Sequence, residues 1–312
     1  TAEDVATRLS NCPRGKVPEG CSTLALGCDV NLYGISWVLT AETPDAAGHV
    51  VDYGKFPAGE AVLWKEGMPY TEEQAIFNGL LSVFQDVIET RPYTRADNGE
   101  RVKPGVVAID CSFKRDAVFR AVQQARMKFG ATQFFPIRGL STKTYRPMNA
   151  ARKGDHWHIG EYGPSKALFI NADVWRERMQ KGFLLPMGSM GGSLALYGSD
   201  VSAHGTIADH ITAEVVIDVL HGDRLGMVYV WQVLPGRKND LADALTYSLA
   251  ASCYAGVHFG GIAKYKRGQA SEQQQDAQDV RDDMAKVAPM LQRQPARQAF
   301  KPQRRGGFAN AW

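Results

Sequence analysis

The run RKNDLADALTYSLAA, residues 237–251, opens on charge and closes on small and apolar residues. Gly236 breaks the chain before it. Asn239 is a good N-cap, because its side-chain oxygen can accept a bond from a free amide of the first turn. From there Leu241, Ala244, Leu245, Ser248, Leu249 and Ser252 recur at helical spacing, a narrow stripe to bury. Asp240 and Asp243 lie three apart and share the first turn, where the helix end carries partial positive charge. Taken alone, two acids there do no more than complement the helix dipole. The rest of the chain reads as a sheet that brings further acids to this turn.

Residues 23–30 (TLALGCDV), 35–40 (ISWVLT) and 50–56 read as three strands of a β-meander, with a turn over 31–34. Asp29 ends the first, and by itself it is equally a turn-forming Asp beside Asn31. A helix follows over 72–90, with Ile76, Leu80, Leu81, Phe84 and Ile88 on one face, and then a charged loop over 91–104. GVVAID (105–110) is nearly all apolar, the pattern of a strand buried on both faces, and it ends in Asp110. A helix is expected over 116–129. Strand ends that lead into helices are where open α/β sheets place ligands. After a strand at 133–137 comes a loop over 138–153 with Arg138, Lys143, Arg146, Arg152 and Lys153 and no acid. It is either a phosphate-contacting segment or a solvated loop. His156 and His158, at i,i+2 on a strand, lack a third metal ligand at suitable spacing. A helix over 165–180, a short strand over 182–186, a Gly/Ser-rich loop over 188–205 and a helical turn over 207–211 are expected next. Strands at 213–220 and 227–233 lead back to the capped helix. In domain terms, 1–22 is a lead-in segment, 23–263 one folded domain, and 264–312 a basic, Gln-rich, largely disordered tail with a helix near 276–291.

In a chain of 312 residues, a hydrophobic fraction of 44% suits a globular protein. No stretch approaches the roughly 18 apolar residues of a membrane helix, and no signal pattern opens the chain. Five cysteines without a CxxC pair argue for reduced thiols. The net charge of +3 is uneven: residues 264–312 hold ten Lys/Arg against five acids, leaving 26 against 28 elsewhere. The folded part is therefore no general polyanion binder, and nucleic-acid contact must come through a local patch or through metal ions.

GxxxxGK[ST], GxSxG and HExxH are all absent. What remains is a carboxylate constellation of Asp29, Asp110 and Asp243. At an effective dielectric of about 20, each like-charge pair near 4 Å costs on the order of 4 kcal/mol, so converging acids must protonate or bind cations. Two Mg²⁺ or Mn²⁺ ions would neutralise them and stabilise the attacking and leaving oxygens of a phosphodiester displacement. Hard carboxylate oxygens suit those ions better than zinc or copper.

The order of meander with Asp, strand ending in Asp and late helix with Asp resembles the ribonuclease-H-like nuclease fold, a mixed α/β sheet flanked by helices. More specifically, GCDVN (27–31), VVAIDCSFKRDAVF (106–119), FFPIRG (134–139), WHIGEYGPSK (157–166), DHITAE (209–214) and GRKNDLADALTYSLAA (236–251) look like the nuclease domain of a tailed-phage large terminase subunit of the phage-lambda-like class. That family's last block usually reads Arg-Asn-Glu-x-x-Asp; here Asp240 replaces Glu, which makes Asp243 the carried-over ligand. The resemblance implies a DNA endonuclease with Asp29, Asp110 and Asp243 as catalytic metal ligands for two Mg²⁺ or Mn²⁺. Asp240, Asp209 and Glu214 are secondary acids. Arg138, Lys143, Arg146, Arg152, Lys153, Arg237 and Lys238 are DNA-contact candidates. It also implies double-stranded DNA, a small terminase subunit and the portal or procapsid as partners, in the host cell cytoplasm and away from membranes. The family's N-terminal packaging ATPase domain is absent from this chain. Two other readings stay open: another ribonuclease-H-like nuclease such as a junction resolvase or RNA-strand nuclease, and a catalytically silent docking module that binds through its basic tail.

Overall fold

The period-two pattern near the start of the chain becomes three long antiparallel strands. The structure, a computed structural model, describes residues 1–147, 150, 152–163, 165–222 and 226–259, all within the unit Thr1–Gly261. The expected tail over 264–312, with its helix near 276–291, lies outside the described residues. In chain order the elements are α1 (Ala2–Ala6), β1 (Lys16–Val17), β2 (Thr23–Asn31), β3 (Gly34–Glu42), β4 (Gly48–Phe56) and α2 (Glu72–Phe84). Next come β5 (Thr94–Arg95), β6 (Val106–Asp110), α3 (Arg115–Lys128), β7 (Gln133–Leu140), β8 (Lys153–Gly154), β9 (Trp157–Tyr162) and β10 (Ser165–Asn171). The last are α4 (Ala172–Gly182), β11 (Leu194–Leu196), α5 (Gly205–Ile211), β12 (Glu214–Gly222), β13 (Gly226–Val233) and α6 (Asp240–Tyr254).

Nine strands form one mixed sheet in the order β11-β4-β3-β2-β6-β7-β10-β9-β8, while β12 and β13 pair separately. The meander β2-β3-β4 is antiparallel; β6 joins β2 in parallel, and β7 and β10 continue in parallel. This is the large mixed α/β sheet, flanked by helices, expected from the sequence. Alternation sorts the side chains into two cores. Ala25, Ala108 and Ile137 face α1, α4, α5 and α6. Leu26, Cys28, Val107, Ile109 and Phe134 face α2 and α3. Among the described residues no helix is long and apolar enough to cross a membrane.

Helix α6 is buried far beyond a stripe: from Leu241 to Tyr254 every residue except Asp243 is buried. Its alanines and serines let it lie close on the sheet, while Leu241, Leu245 and Leu249 each contribute roughly 2 kcal/mol of apolar burial. The closest approach is at Gly27, where a Cβ would come within 1.9 Å of the Ala244 carbonyl oxygen. The Ser248 hydroxyl donates to the Ala25 carbonyl at 3.0 Å, and the Ser252 hydroxyl to Glu42 at 2.6 Å.

Several expectations are corrected. The helix expected over 165–180 is strand β10 followed by α4. Ala167 and Phe169 pack into one core and Leu168 and Ile170 into the other, so the run is buried on both faces, a pattern that periodicity cannot tell from helix. The helix begins only after Asn171, whose side chain accepts the Val174 N–H at 3.5 Å. No strand covers 182–186, because α4 runs to Gly182 and the chain then turns. The loop over 188–205 contains β11 and a 3₁₀ turn at Val201–His204. The helix over 72–90 ends in a π-helical turn, Gln85–Thr90.

Candidate active site

Strand register sets the first two acids side by side. Cys28 pairs with Ile109 in the parallel β2–β6 ladder, so Asp29 and Asp110 are the next residues on neighbouring strands. Each lies two residues beyond a position, Gly27 or Ala108, that faces α6, so both face it too. The first turn of α6 brings Asp240 and Asp243 to the same place. Asn31 ties the two elements together: its Nδ2 lies 3.5 Å from Asp29 Oδ2 and 3.3 Å from Asp240 Oδ1. Its Oδ1 accepts the Tyr33 and Gly34 amides at 2.9 and 3.1 Å, which fixes the hairpin turn.

The acids are electrostatically crowded. Burial, then the charges of Asp243, Asp110 and Asp240, hold the Asp29 carboxyl well above the usual carboxylate range. Burial pushes Asp110 up to about 6, although the Ser112 amide, donating at 3.1 Å, and the charge of Arg138 pull it back. Tyr247 is buried beside the cluster, and burial with the charges of Asp110, Asp243 and Asp29 keeps its phenol protonated far above the ordinary range.

A cation from α4 enters this cluster. Arg176 Nη2 donates to Asp243 Oδ1 at 2.9 Å, and its Nε lies 3.2 Å from Glu214 Oε2. The second approach is an ion pair without hydrogen-bond alignment, so neither atom has a hydrogen-bond partner. Burial opposes the Arg176 charge, yet Asp243 and Glu214 outweigh it and raise its pKa. Glu214, at the start of β12, is pushed up to about 7 by burial, with Arg176 countering.

Asn239 braces the same two acids. Its Nδ2 donates to Glu214 Oε1 at 3.2 Å and to Asp243 Oδ2 at 2.9 Å. That use of the side chain corrects its expected capping role. Asn239 makes no cap bond; the Leu241 N–H goes to His210 Nδ1 at 3.0 Å instead.

Of the residues singled out in the sequence, Asp29, Asp110, Asp240 and Asp243 lie in one another's field, and Glu214 joins them through Arg176. Asp209 does not: it is exposed and holds Arg237, whose Nη2 reaches its carbonyl at 2.9 Å. Lys238 is exposed beside it. In the basic segment, Arg138 directly follows Ile137, the partner of Asp110 in the β6–β7 ladder. Lys143 and Arg146 are exposed, with Arg146 donating to the Tyr145 carbonyl at 2.9 Å. Lys153 lies exposed on β8. Arg152 stacks on Tyr254, 4.5 Å from the ring centre, at the far end of α6 and about 16 Å along the helix from Asp243. Sequence reasoning missed Arg176, Asn31 as a bridge, His210 as a cap and Tyr247. Asn31 stood within GCDVN, but Arg176 carried no local signal.

The donor set suits a hard divalent cation: every contributor is a carboxylate, and their charges are mutually unfavourable. Among the described residues no group of three or more His, Cys, Asp or Glu is drawn close enough to hold one ion. The carboxylates of Asp29, Asp110 and Asp243 would have to close in on it, with Asp243 sharing or releasing Arg176.

No family model matches the chain, and no curated protein is similar to it in sequence. Solved structures similar to it include the Thermus thermophilus RuvC structure, 10% identical with a TM-score of 0.32 over 75% of this chain and 96% of that one. Another is the human cytomegalovirus terminase nuclease domain, 11% identical with a TM-score of 0.35 over 75% of this chain and 83% of that one.

Proposed function

We propose that this chain is a divalent-metal-dependent DNA endonuclease that cuts concatemeric viral DNA during genome packaging. The observation that carries the reading is the cluster of Asp29, Asp110, Asp240 and Asp243 at the ends of β2 and β6 and the start of α6, where burial and then the neighbouring charges raise Asp29 well above an ordinary carboxylate. Asp29, Asp110 and Asp243 would hold two Mg²⁺ or Mn²⁺ ions, which when bound activate water and neutralise charge at the scissile phosphate. The chain's own groups do the positioning. Asn31 orients Asp29, the Ser112 amide orients Asp110, and Asn239 with Arg176 orients Asp243. Buried Tyr247 keeps water from that side of the acids.

On this reading the substrate is double-stranded DNA in the host cell cytoplasm. A packaging ATPase domain, a small terminase subunit and the portal or procapsid are its partners. Cleavage of duplex, branched and RNA–DNA hybrid substrates by the purified chain with Mg²⁺ or Mn²⁺ tests it. Preference for duplex DNA supports the reading, and preference for branched or hybrid substrates replaces it with a resolvase or RNA-strand nuclease.

A second reading is a catalytically silent docking module. The ion pair between Arg176 and Asp243 favours it, since an internal cation already neutralises one candidate ligand. It requires no cleavage with any divalent metal and loss of binding when residues 264–312 are deleted.

A further inference from the structure

A second charged site lies at the same end of the sheet, on the α3 side. Ile137 faces α6, so Arg138, the next residue, faces the opposite side. There its guanidinium sits 4.6 Å from the centre of the Tyr162 ring. Arg115, the first residue of α3, leans on the same ring at 5.3 Å. Phe169 and Phe119 hold that ring at 5.9 and 6.3 Å between centres. A cavity of about 320 Å³ opens beside it, lined by Glu73, Lys114, Arg115, Asp116 and Tyr162.

The acids of this cavity are already matched. Glu72 and Glu73 hold Lys114, and Asp116 accepts from Arg115 Nε at 2.9 Å. That leaves the outer nitrogens of Arg115 with donor capacity. Arg138 is half-buried, and its charge acts on Asp110, but among the described residues no hydrogen bond or salt bridge holds its guanidinium. Both guanidinium groups lie against one aromatic ring, and an anion that reached both would be attracted by each. A planar fork is the group that grips phosphate oxygens in pairs.

We propose that Arg138 and Arg115, seated on Tyr162, form a phosphate-binding subsite for a DNA strand, placed one strand position from Asp110. The substrate class rests on the nuclease reading; the subsite itself can be tested without cleavage. The test is binding of a fluorescent DNA duplex by the full chain in EDTA, followed by anisotropy across a salt series. Arg138→Gln and Arg115→Gln should each lower the slope of log affinity against log salt by about 1, the loss of one phosphate contact. Arg138→Lys should restore the slope, and Lys128→Gln, at the other end of α3, should leave it unchanged. Wild-type slopes in both glutamine variants with unaltered melting would overturn the proposal, as would a wild-type chain with no salt-dependent binding. Should Arg138→Gln fail to fold, Arg115→Gln decides alone. A lowered slope in a chain that cuts no DNA keeps the subsite and removes the nuclease. Metal-dependent cutting with unchanged slopes does the reverse.

Discussion

Arg176 and Asp243, on α4 and α6, meet at 2.9 Å, and both side chains are mostly withdrawn from water. The pair gives the acid cluster an internal counter-charge. Removing the arginine leaves Asp243 and Glu214 without their shared partner. Arg176→Gln should therefore cost the metal-free protein roughly 2–3 kcal/mol, discounted for the area water still reaches. Mn²⁺ should then raise the melting temperature of this variant by more than it raises that of wild type. Equal metal shifts in the two proteins would mean that Arg176 and the cation do not share Asp243.

Stability should depend on pH in an unusual direction. Asp110 is raised to about 6 in the folded state, so between about 4 and 6 the folded chain binds more protons than the unfolded chain. Its contribution is present below that window and lost as pH rises through it. Glu214 extends the loss to about 7. Metal-free melting temperatures should fall as pH rises from about 4.5 to 7.5. Asp110→Asn should flatten the lower part of that fall, and an unchanged slope in this variant would contradict the assignment.

Much of this was legible in the chain because strand register is local. TLALGCDV and GVVAID each carry their acid at the end of an apolar run, and parallel pairing needs only matching ends to bring Asp29 beside Asp110. The Asp240 and Asp243 turn was legible from Gly236 and helical spacing. SKALFIN was not, because an apolar run buried on both faces has no period of its own, and only its neighbours β7 and β9 make it a strand. Arg176 was invisible for the same reason: its role depends on where α4 lies against α6. His210 took the cap from Asn239 because the acids claim the asparagine amide.

The close crossing of α6 over β2 is what holds Asp243 above Asp29. With 1.9 Å between a Cβ at Gly27 and the Ala244 carbonyl oxygen, Gly27→Ala must push the helix away. The expected cost is about 3 kcal/mol, at the upper end for overpacking. Thermal melting checks this, and a variant as stable as wild type would show that the helix yields at little cost.

Nicking of supercoiled plasmid with Mn²⁺, Mg²⁺ or EDTA, comparing wild type with Asp243→Asn, tests the proposed metal-dependent nuclease most directly. Cutting by wild type with either metal, none in EDTA, and none by a folded Asp243→Asn is the predicted result. Cutting by Asp243→Asn at the wild-type rate would remove that residue from the site, and a wild type silent with both metals would contradict the nuclease.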